Sequence, residues 1–363
     1  MKSPLTVTRQ TATHALAILF LLPAIPSQAQ ESDQPIRYEA SHDAMGTIFT
    51  LVAYGRDERF LAQVANEAFD EIDSLDAQMS NYRAESELSR INRRAAQEPV
   101  LVEPRLFDLL AMAIRYSVQS DGAFDISVGP LMKTWGFFQG EGRVPPKAEL
   151  DRVRKRVGYR HILLDREQRT IRFDAEGLEL DLGGIAKGYA VDRVAGILRA
   201  NGVNAALISS GRSSIYALGA PPGKAAWRIH LRDPFEGKKA AGDVLLKDFS
   251  LSVSGSYEKL LELDGKTYCH ILDPRTGWPV EGMLMTAVLA PRGVESDATS
   301  TILFVLGPEK GRRYLEKATK VSALLFESAG GRKSNRVALK SDEFILPSGC
   351  VAEFELGPED ETR

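Results

Sequence analysis

The stretch DLGGIAKGYAVD, Asp181–Asp192, sets the reading of the whole chain. Leading into it, Leu178 to Leu182 alternates leucine with the carboxylates Glu179 and Asp181; beyond the glycine pair, an amphipathic helix opens with Lys187 in its first turn. A strand, a glycine turn and a helix start form an anion cradle. Unpaired backbone N–H groups and the positive end of the helix dipole point at whatever sits there, and a phosphate-bearing ligand suits it. Neither GxxxxGK[ST] nor GxGxxG occurs, so the standard nucleotide loops are absent. The same pattern also suits an ordinary connection whose glycines serve tight packing, so other segments must decide.

Upstream, residues 1–29 read as a secretory signal peptide. Lys2 and Arg9 precede a short apolar core, Ala15 to Ile25, and Ser27, Gln28 and Ala29 surround a cleavage point. That core is well short of the roughly 20 residues that span a bilayer, and no Cys follows it to carry a lipid. The mature chain is expected to be exported and periplasmic, without a transmembrane segment, with a polar linker at 30–36 and a single domain at 37–363. The full chain's 44% hydrophobic and 26% charged residues are globular in character. A net charge of −3 gives no footprint for nucleic acid. Cys269 and Cys350 are its only cysteines, which excludes a disulfide scaffold and leaves open whether the two pair.

Periodicity predicts the frame. Arg37 to Ala53 reads as a strand region broken at Ala44–Thr47. Leu61, Val64, Ala68, Ile72, Leu75 and Met79 stripe a helix over Phe60–Met79. Helices are expected at Pro104–Gln119, Pro146–Val157, after Gly184 as far as Asn201 and Gly202, and at Pro308–Thr319. Strands are expected at Tyr159–Leu164, Thr170–Phe173, Ala205–Ile208, Ser214–Leu218, Trp227–Leu231, Val244–Leu246 and Leu251–Ser254. Tyr82, in MSNYRAESELSRIN, could stack on a flat heteroaromatic ring. The uncluttered backbone around Ala123, in DGAFDISVGPLMKTWGF, could lie against a ligand edge.

Two further segments carry chemistry. In CHILDPRTG (Cys269–Gly277), His270 sits on a short apolar strand before a turn and can act as a general base near neutral pH. Cys269, its neighbour, points to the other face and reads as core. In ESDATSTILFVLG (Glu295–Gly307), a helix from Ser296 puts Asp297 and Thr301 on one face, one turn apart. Carboxylate and hydroxyl are hard ligands suited to Mg²⁺. Alternatively Ser296 caps that helix and Asp297 complements its dipole.

Taken together and in order, MGTIFTL, MSNYRAESELSRIN, DGAFDISVGPLMKTWGF, DLGGIAKGYAVD, SGSYEKLLELDGKTYCHILDPRTG and SDATSTILFVLG closely resemble the FAD:protein FMN transferase family, the ApbE-like flavin transferases. The resemblance runs from about Met45 to Gly307. It implies an α+β fold with a T-fold-like core of mixed or antiparallel sheet, flanking helices and one co-folded catalytic unit. It implies FAD contacts at Met45, Tyr82, Ala123, Phe124, Asp125, Asp181, Lys187 and Ile271. Metal contacts are implied at Asp297, Thr301 and a backbone oxygen near Gly184, with His270 activating an acceptor hydroxyl. The implied reaction is Mg²⁺-dependent transfer of FMN from FAD to a Thr or Ser of an acceptor flavoprotein in an extracytoplasmic redox system, releasing AMP.

Three positions depart from the family pattern. Ser210, Gly211, Arg212 replaces a glycine pair followed by an acid, and Ser256 and Ser300 stand where acids are common or occasional. Two alternatives follow: an FAD pyrophosphatase using water as nucleophile, and a non-catalytic FAD-binding protein.

Overall fold

Ala44–Met45–Gly46–Thr47 is a two-residue hairpin turn in which Met45 (φ 50°) and Gly46 (φ 68°) are both left-handed, the conformation whose twist matches the flanking strands. It starts the central sheet of the computed structural model. The structure describes residues 34–356, apart from 139–141, 236–238, 258–259, 264, 332 and 341–350. The expected signal peptide, residues 30–33 of the linker and Cys350 lie outside the described residues. The first strand begins at Ile36, inside the expected linker, and from Pro35 onward the chain forms one compact unit.

Eight strands build that sheet: β1 (Ile36–Ala44), β2 (Thr47–Gly55), β3 (Ala206–Ser210), β4 (Ser214–Leu218), β5 (Phe249–Gly255), β6 (Met283–Ala290), β7 (Ser322–Gly330) and β8 (Lys333–Leu339). Their spatial order is their chain order, and every pair is antiparallel. The expected α+β class is observed, with the sheet antiparallel rather than mixed. The helices are α1 (Glu58–Met79), α2 (Glu87–Arg94), α3 (Pro104–Gln119), α4 (Gly129–Trp135), α5 (Lys147–Val153), α6 (Ala186–Ala200) and α7 (Gly293–Leu315). The last is broken by a non-helical Gly307 before Pro308.

Strand alternation divides the sheet into two buried faces. Ala206, Ile208, Tyr216 and Leu218 meet the inward stripes of α1 and α6, and Val288 and Ala323 join the core under α7. Ala217, Phe249, Leu251, Met285, Ala287 and Leu324 face the other way. They pack with Trp227, Leu231, Val244 and Leu246 of a small sheet formed by Trp227–Arg232, Ala240–Lys247 and Val351–Leu356. All six residues of the expected α1 stripe are buried. The long connection from β2 to β3 carries α1 to α6 and a three-stranded sheet of Val100–Leu101, Thr170–Phe173 and Ile162–Asp165.

The boundaries differ where local chemistry outruns periodicity. The helix expected over Pro146–Val157 ends at Val153 and tightens into a 3₁₀ turn at Arg154–Arg156, and Tyr159–His161 is a second such turn before its strand. The helix expected from Ser296 begins a turn earlier, at Gly293. Ser296 is therefore interior and is not its cap.

Helices α6 and α7 cross backbone to backbone at their first turns. A carbon added at Gly188 would lie 2.1 Å from Gly293 O and 2.6 Å from Asp297 Cβ, and one at Gly293 would lie 2.4 Å from Gly188 O. Gly196, further along α6, has nothing within 4 Å. Gly188→Ala should therefore destabilise the fold by about 1–3 kcal/mol through overpacking. Gly196→Ala should be neutral or gain up to about 1 kcal/mol of helix propensity. Urea unfolding of the two variants checks this, and equal effects would refute the close crossing.

Candidate functional site

Two carboxylates clamp that crossing reciprocally. Asp192 of α6 accepts from the N–H groups of Gly293 and Val294 at the start of α7, at 2.5 and 3.0 Å. Asp297 of α7 accepts from Gly188 N in the first turn of α6, at 2.8 Å. Neither helix has a side-chain cap from its own sequence neighbours, so each carboxylate satisfies donors that its partner helix leaves open. Burial pushes both carboxyls above the ordinary range; the charge of Lys187 and the Gly188 N–H pull Asp297 back. The two alternatives for Asp297 are thus partly joined: it complements a helix start, but that of α6.

Around this crossing the structure gathers several predicted residues. Thr301 follows Asp297 by one turn, and a side chain at Gly184 would meet Thr301 Oγ1 at 3.3 Å and the Phe124 ring at 3.1 Å. Lys187 lies close enough to act on Asp297 electrostatically. Asp181 accepts from Gly183 N at 2.7 Å and, with burial, raises the Tyr82 phenol above its usual pKa. The expectation of a cradle of unpaired N–H groups needs correction. The amides of Gly183, Ile185, Ala186, Gly188 and Tyr189 already have acceptors in Asp181, Leu182, Asp297 and Ile185. The pull on an anion there comes from Lys187 and the helix dipole more than from a nest of free amides.

Leu178–Leu182, expected as a strand, is extended but joins no sheet. It holds one parallel bridge, Glu179 to Val128, and Asp181 N donates to Ile126 O at 2.7 Å. Asn92 of α2 fixes its other side, its amide donating to Leu180 O (3.1 Å) and accepting from Leu180 N (2.8 Å). Asn92 had no role in the sequence reading. A poor helix former inside a short helix was the signal available.

The remaining candidates sit in loops around this centre. Ala123 and Phe124 are buried, and Phe124 packs edge-on to Tyr116. Asp125 is 6% exposed, and its carboxylate accepts from Ser127 N, Ser127 Oγ and Tyr159 N. It frames its own loop from inside. Tyr82 is 55% exposed and stacks face to face on Phe138, centroids 4.4 Å apart, above a hollow of about 290 Å³ lined also by Asn92, Arg93, Lys133 and Glu179. Met45, left-handed and half-buried, occupies its hairpin tip beside the Gly211 turn. Gly211 N donates to Ile48 O there, and a carbon added at Gly211 would sit 2.2 Å from Thr47 Oγ1.

His270 was expected on a strand. It lies instead at the bend between strands Lys266–Cys269 and Leu272–Asp273. Cys269 is buried as expected, with its thiol pushed up by burial. Ile271 is 9% exposed and packs into the core under α7. The following turn is closed by the two-pronged Arg275–Asp273 pair and tied to α4 by Trp135 Nε1 donating to Gly277 O. Gly122, beside the Ala123 loop, lies against Arg275. Of the departing residues, Arg212 is exposed on its turn, Ser256 donates to Leu284 O, and Ser300 is fully buried.

Antiparallel sheet, crossed helix starts, a lysine and hard oxygen donors define an α+β protein with a polar site where α6 and α7 cross. A model of the ApbE family matches residues 45–325. The FAD:protein FMN transferase of Klebsiella pneumoniae (strain 342) is 34% identical over 290 residues, 79% of this chain and 88% of that one. That of Treponema pallidum (strain Nichols) is 31% identical over 330 residues, 85% and 91% of the two chains. The apo form of the flavinyl transferase ApbE of Pseudomonas stutzeri superposes with a TM-score of 0.75 at 31% identity, covering 85% of this chain and 96% of its own. The flavin transferase ApbE from Vibrio cholerae gives 0.76 at 28%, covering 85% and 98%. The chain belongs to the ApbE family.

The Asn92 clamp is testable through pH. Asn92→Ala should cost about 1–3 kcal/mol by leaving the Leu180 groups unpaired. Asn92→Asp should cost more at pH 7, because a carboxylate oxygen replaces the donor opposite Leu180 O. Its folded-state pKa would be raised, so the excess cost should be present above the unfolded value of about 3.9 and fade as pH falls through the folded one. Unfolding at pH 4 and pH 7 measures this; a pH-independent difference between the variants would contradict the clamp.

Proposed function

We propose that this ApbE-family chain transfers the FMN part of FAD to a Thr or Ser hydroxyl of an acceptor protein and releases AMP. The observation that carries the proposal is the crossing of α6 and α7. It brings Gly184, Lys187, Asp297 and Thr301 to one place in a chain that matches curated FAD:protein FMN transferases over most of its length.

The donors fit a divalent cation. Asp297 is 5% exposed beside a hydroxyl-bearing residue on the same helix face, and the space at Gly184 keeps side chains away from Thr301 Oγ1. Asp297, Thr301 and a backbone oxygen near Gly184 would hold Mg²⁺, which supplies charge neutralisation at the FAD pyrophosphate and polarises phosphorus. Lys187 and the start of α6 orient the pyrophosphate. Asp181 and Tyr82 meet the nucleotide on one side, with Met45, Ala123, Phe124, Asp125 and Ile271 framing the rest. His270 takes the proton of the acceptor hydroxyl, whose oxygen forms the new bond to the FMN-side phosphorus. The bridging P–O bond breaks, and its electron pair leaves with AMP. A signal peptide at 1–29 delivers the protein to the periplasm, where acceptors are flavoprotein subunits of redox systems.

Incubation with FAD, Mg²⁺ and candidate acceptor domains, read by protein mass and released AMP, tests the reading. An FMN-sized mass gain with equimolar AMP is expected and should disappear with EDTA. FMN and AMP with unlabelled acceptor would replace transfer by pyrophosphate hydrolysis, and intact FAD throughout would leave a binding protein. Asp297→Asn keeps an acceptor for Gly188 N, so it should fold normally yet lose at least about 100-fold in rate. His270→Ala should keep FAD binding and lose about 10²–10⁴-fold.

A further inference from the structure

The strand β5 reads Phe249-Ser-Leu-Ser-Val-Ser-Gly255, and its alternation turns three serines toward α7. Ser252 Oγ lies 2.7 Å from Ser296 Oγ, and Ser250 Oγ lies 2.9 Å from the same atom. Ser254 Oγ lies 2.8 Å from Ser300 Oγ. Each hydroxyl has one proton. Ser300 gives its proton to Asp297 O, one turn back on the same helix, so Ser254 is the donor to Ser300. The sheet thus grips α7 through hydroxyls on both sides of Asp297.

The row continues across neighbouring strands. Ser214 stands opposite Ser252 in register, Ser210 opposite Ser214, and Thr286 opposite Ser254. Directly opposed residues share a face with Cβ atoms about 5 Å apart, so all these hydroxyls look toward α7. Ser210, Ser214 and Thr286 are 0% exposed, and among the described residues their oxygens have no partner at full hydrogen-bond geometry, Asp297 being a looser neighbour of Ser214. A buried hydroxyl in that condition is costly, so it needs an explanation. For Ser214 the register supplies one: Ser252, directly opposite it, bonds Ser296, the residue before Asp297, which sets the buried Ser214 hydroxyl toward the Asp297 carboxylate, and that hydroxyl favours the charged form against the rise that burial causes.

We propose that Ser214 is a positioning residue whose hydroxyl holds the Asp297 carboxylate in the orientation that binds a divalent cation. This rests on the reading of Asp297 as a cation ligand. Groups that orient a metal-binding carboxylate typically change metal affinity 10–100-fold when removed. Ser214 acts on the site through Asp297 and touches neither FAD nor acceptor.

The test is calorimetric titration of FAD-free protein with Mn²⁺, beside a Mg²⁺ titration of transfer at saturating FAD. Ser214→Ala should weaken Mn²⁺ binding about 10-fold or more and raise the Mg²⁺ needed for half-maximal rate by a similar factor, with the KM for FAD unchanged. Ser214→Thr, which keeps the hydroxyl, should restore most of the affinity. Ser322→Ala, which removes another buried and unpartnered hydroxyl, should leave Mn²⁺ binding as it is. If Asp297→Asn loses Mn²⁺ while Ser214→Ala keeps it, the role of Ser214 is overturned. If Asp297→Asn binds Mn²⁺ like the unaltered protein, the reading of Asp297 itself fails. Loss in Ser214→Ala that Ser214→Thr does not restore would mark a packing effect and also overturn the proposal.

Discussion

The crossing of α6 and α7 is the constraint on which the site depends. Two glycines let the backbones touch, and two carboxylates, Asp192 and Asp297, exchange places as caps across the contact. A helix start buried without partners for its N–H groups would be costly. Here the cost is removed by the other helix, which fixes the relative height of both. Asp297 is thereby placed beside Lys187 and one turn from Thr301, and Gly184 is set against Thr301. Shifting either helix by a residue would break the caps and scatter these groups together. Stability and site geometry are the same interaction here.

The elements around the crossing then have distinct duties. The sheet gives α7 a polar seat through the β5 serines, while the opposite face of the same strand, Phe249 and Leu251, belongs to the apolar core under the small sheet. The connection between β2 and β3 supplies loops without strong periodicity, and these are tied down one by one. Asn92 brackets Leu180, Val128 and Ile126 hold Glu179 and Asp181 on either side of it, and Asp125 braces its own turn against Ser127 and Tyr159. Such loops can carry ligand contacts because their backbones are satisfied by side chains rather than by a sheet.

Sequence periodicity was a good guide where one face of an element meets an apolar core. The α1 stripe, α3 and its Pro104 start, the Asn201–Gly202 stop of α6 and the strand Ser214–Leu218 are all found as read. It says less about which polar residues are buried for a tertiary reason. FSLSVSG has the alternation of a strand with one wet face, yet Ser250 and Ser252 are wholly buried. Leu178–Leu182 has the alternation of a strand, yet its partners are a side chain and an isolated bridge. His270 fell at a bend because the two short hairpins on either side of it are set by turn chemistry, which apolar patterning does not encode.

The site was legible in a different manner. Helical spacing paired Asp297 with Thr301, but only the family resemblance, not the pattern of the residues, joined them to Gly184 and Lys187, which lie more than a hundred residues earlier. What joins them is the glycine in AKGYA, a residue that weakens a helix by about 1 kcal/mol relative to alanine. A helix keeps such a residue when something must come closer than a methyl group allows, and here the something is the backbone of α7. The same reasoning explains why Ser296 and Ser300 tolerate burial beside the carboxylate. A helix held this near to a sheet has room for hydroxyls between the layers, and each one paired there resists the sliding that would carry Asp297 away from Gly188.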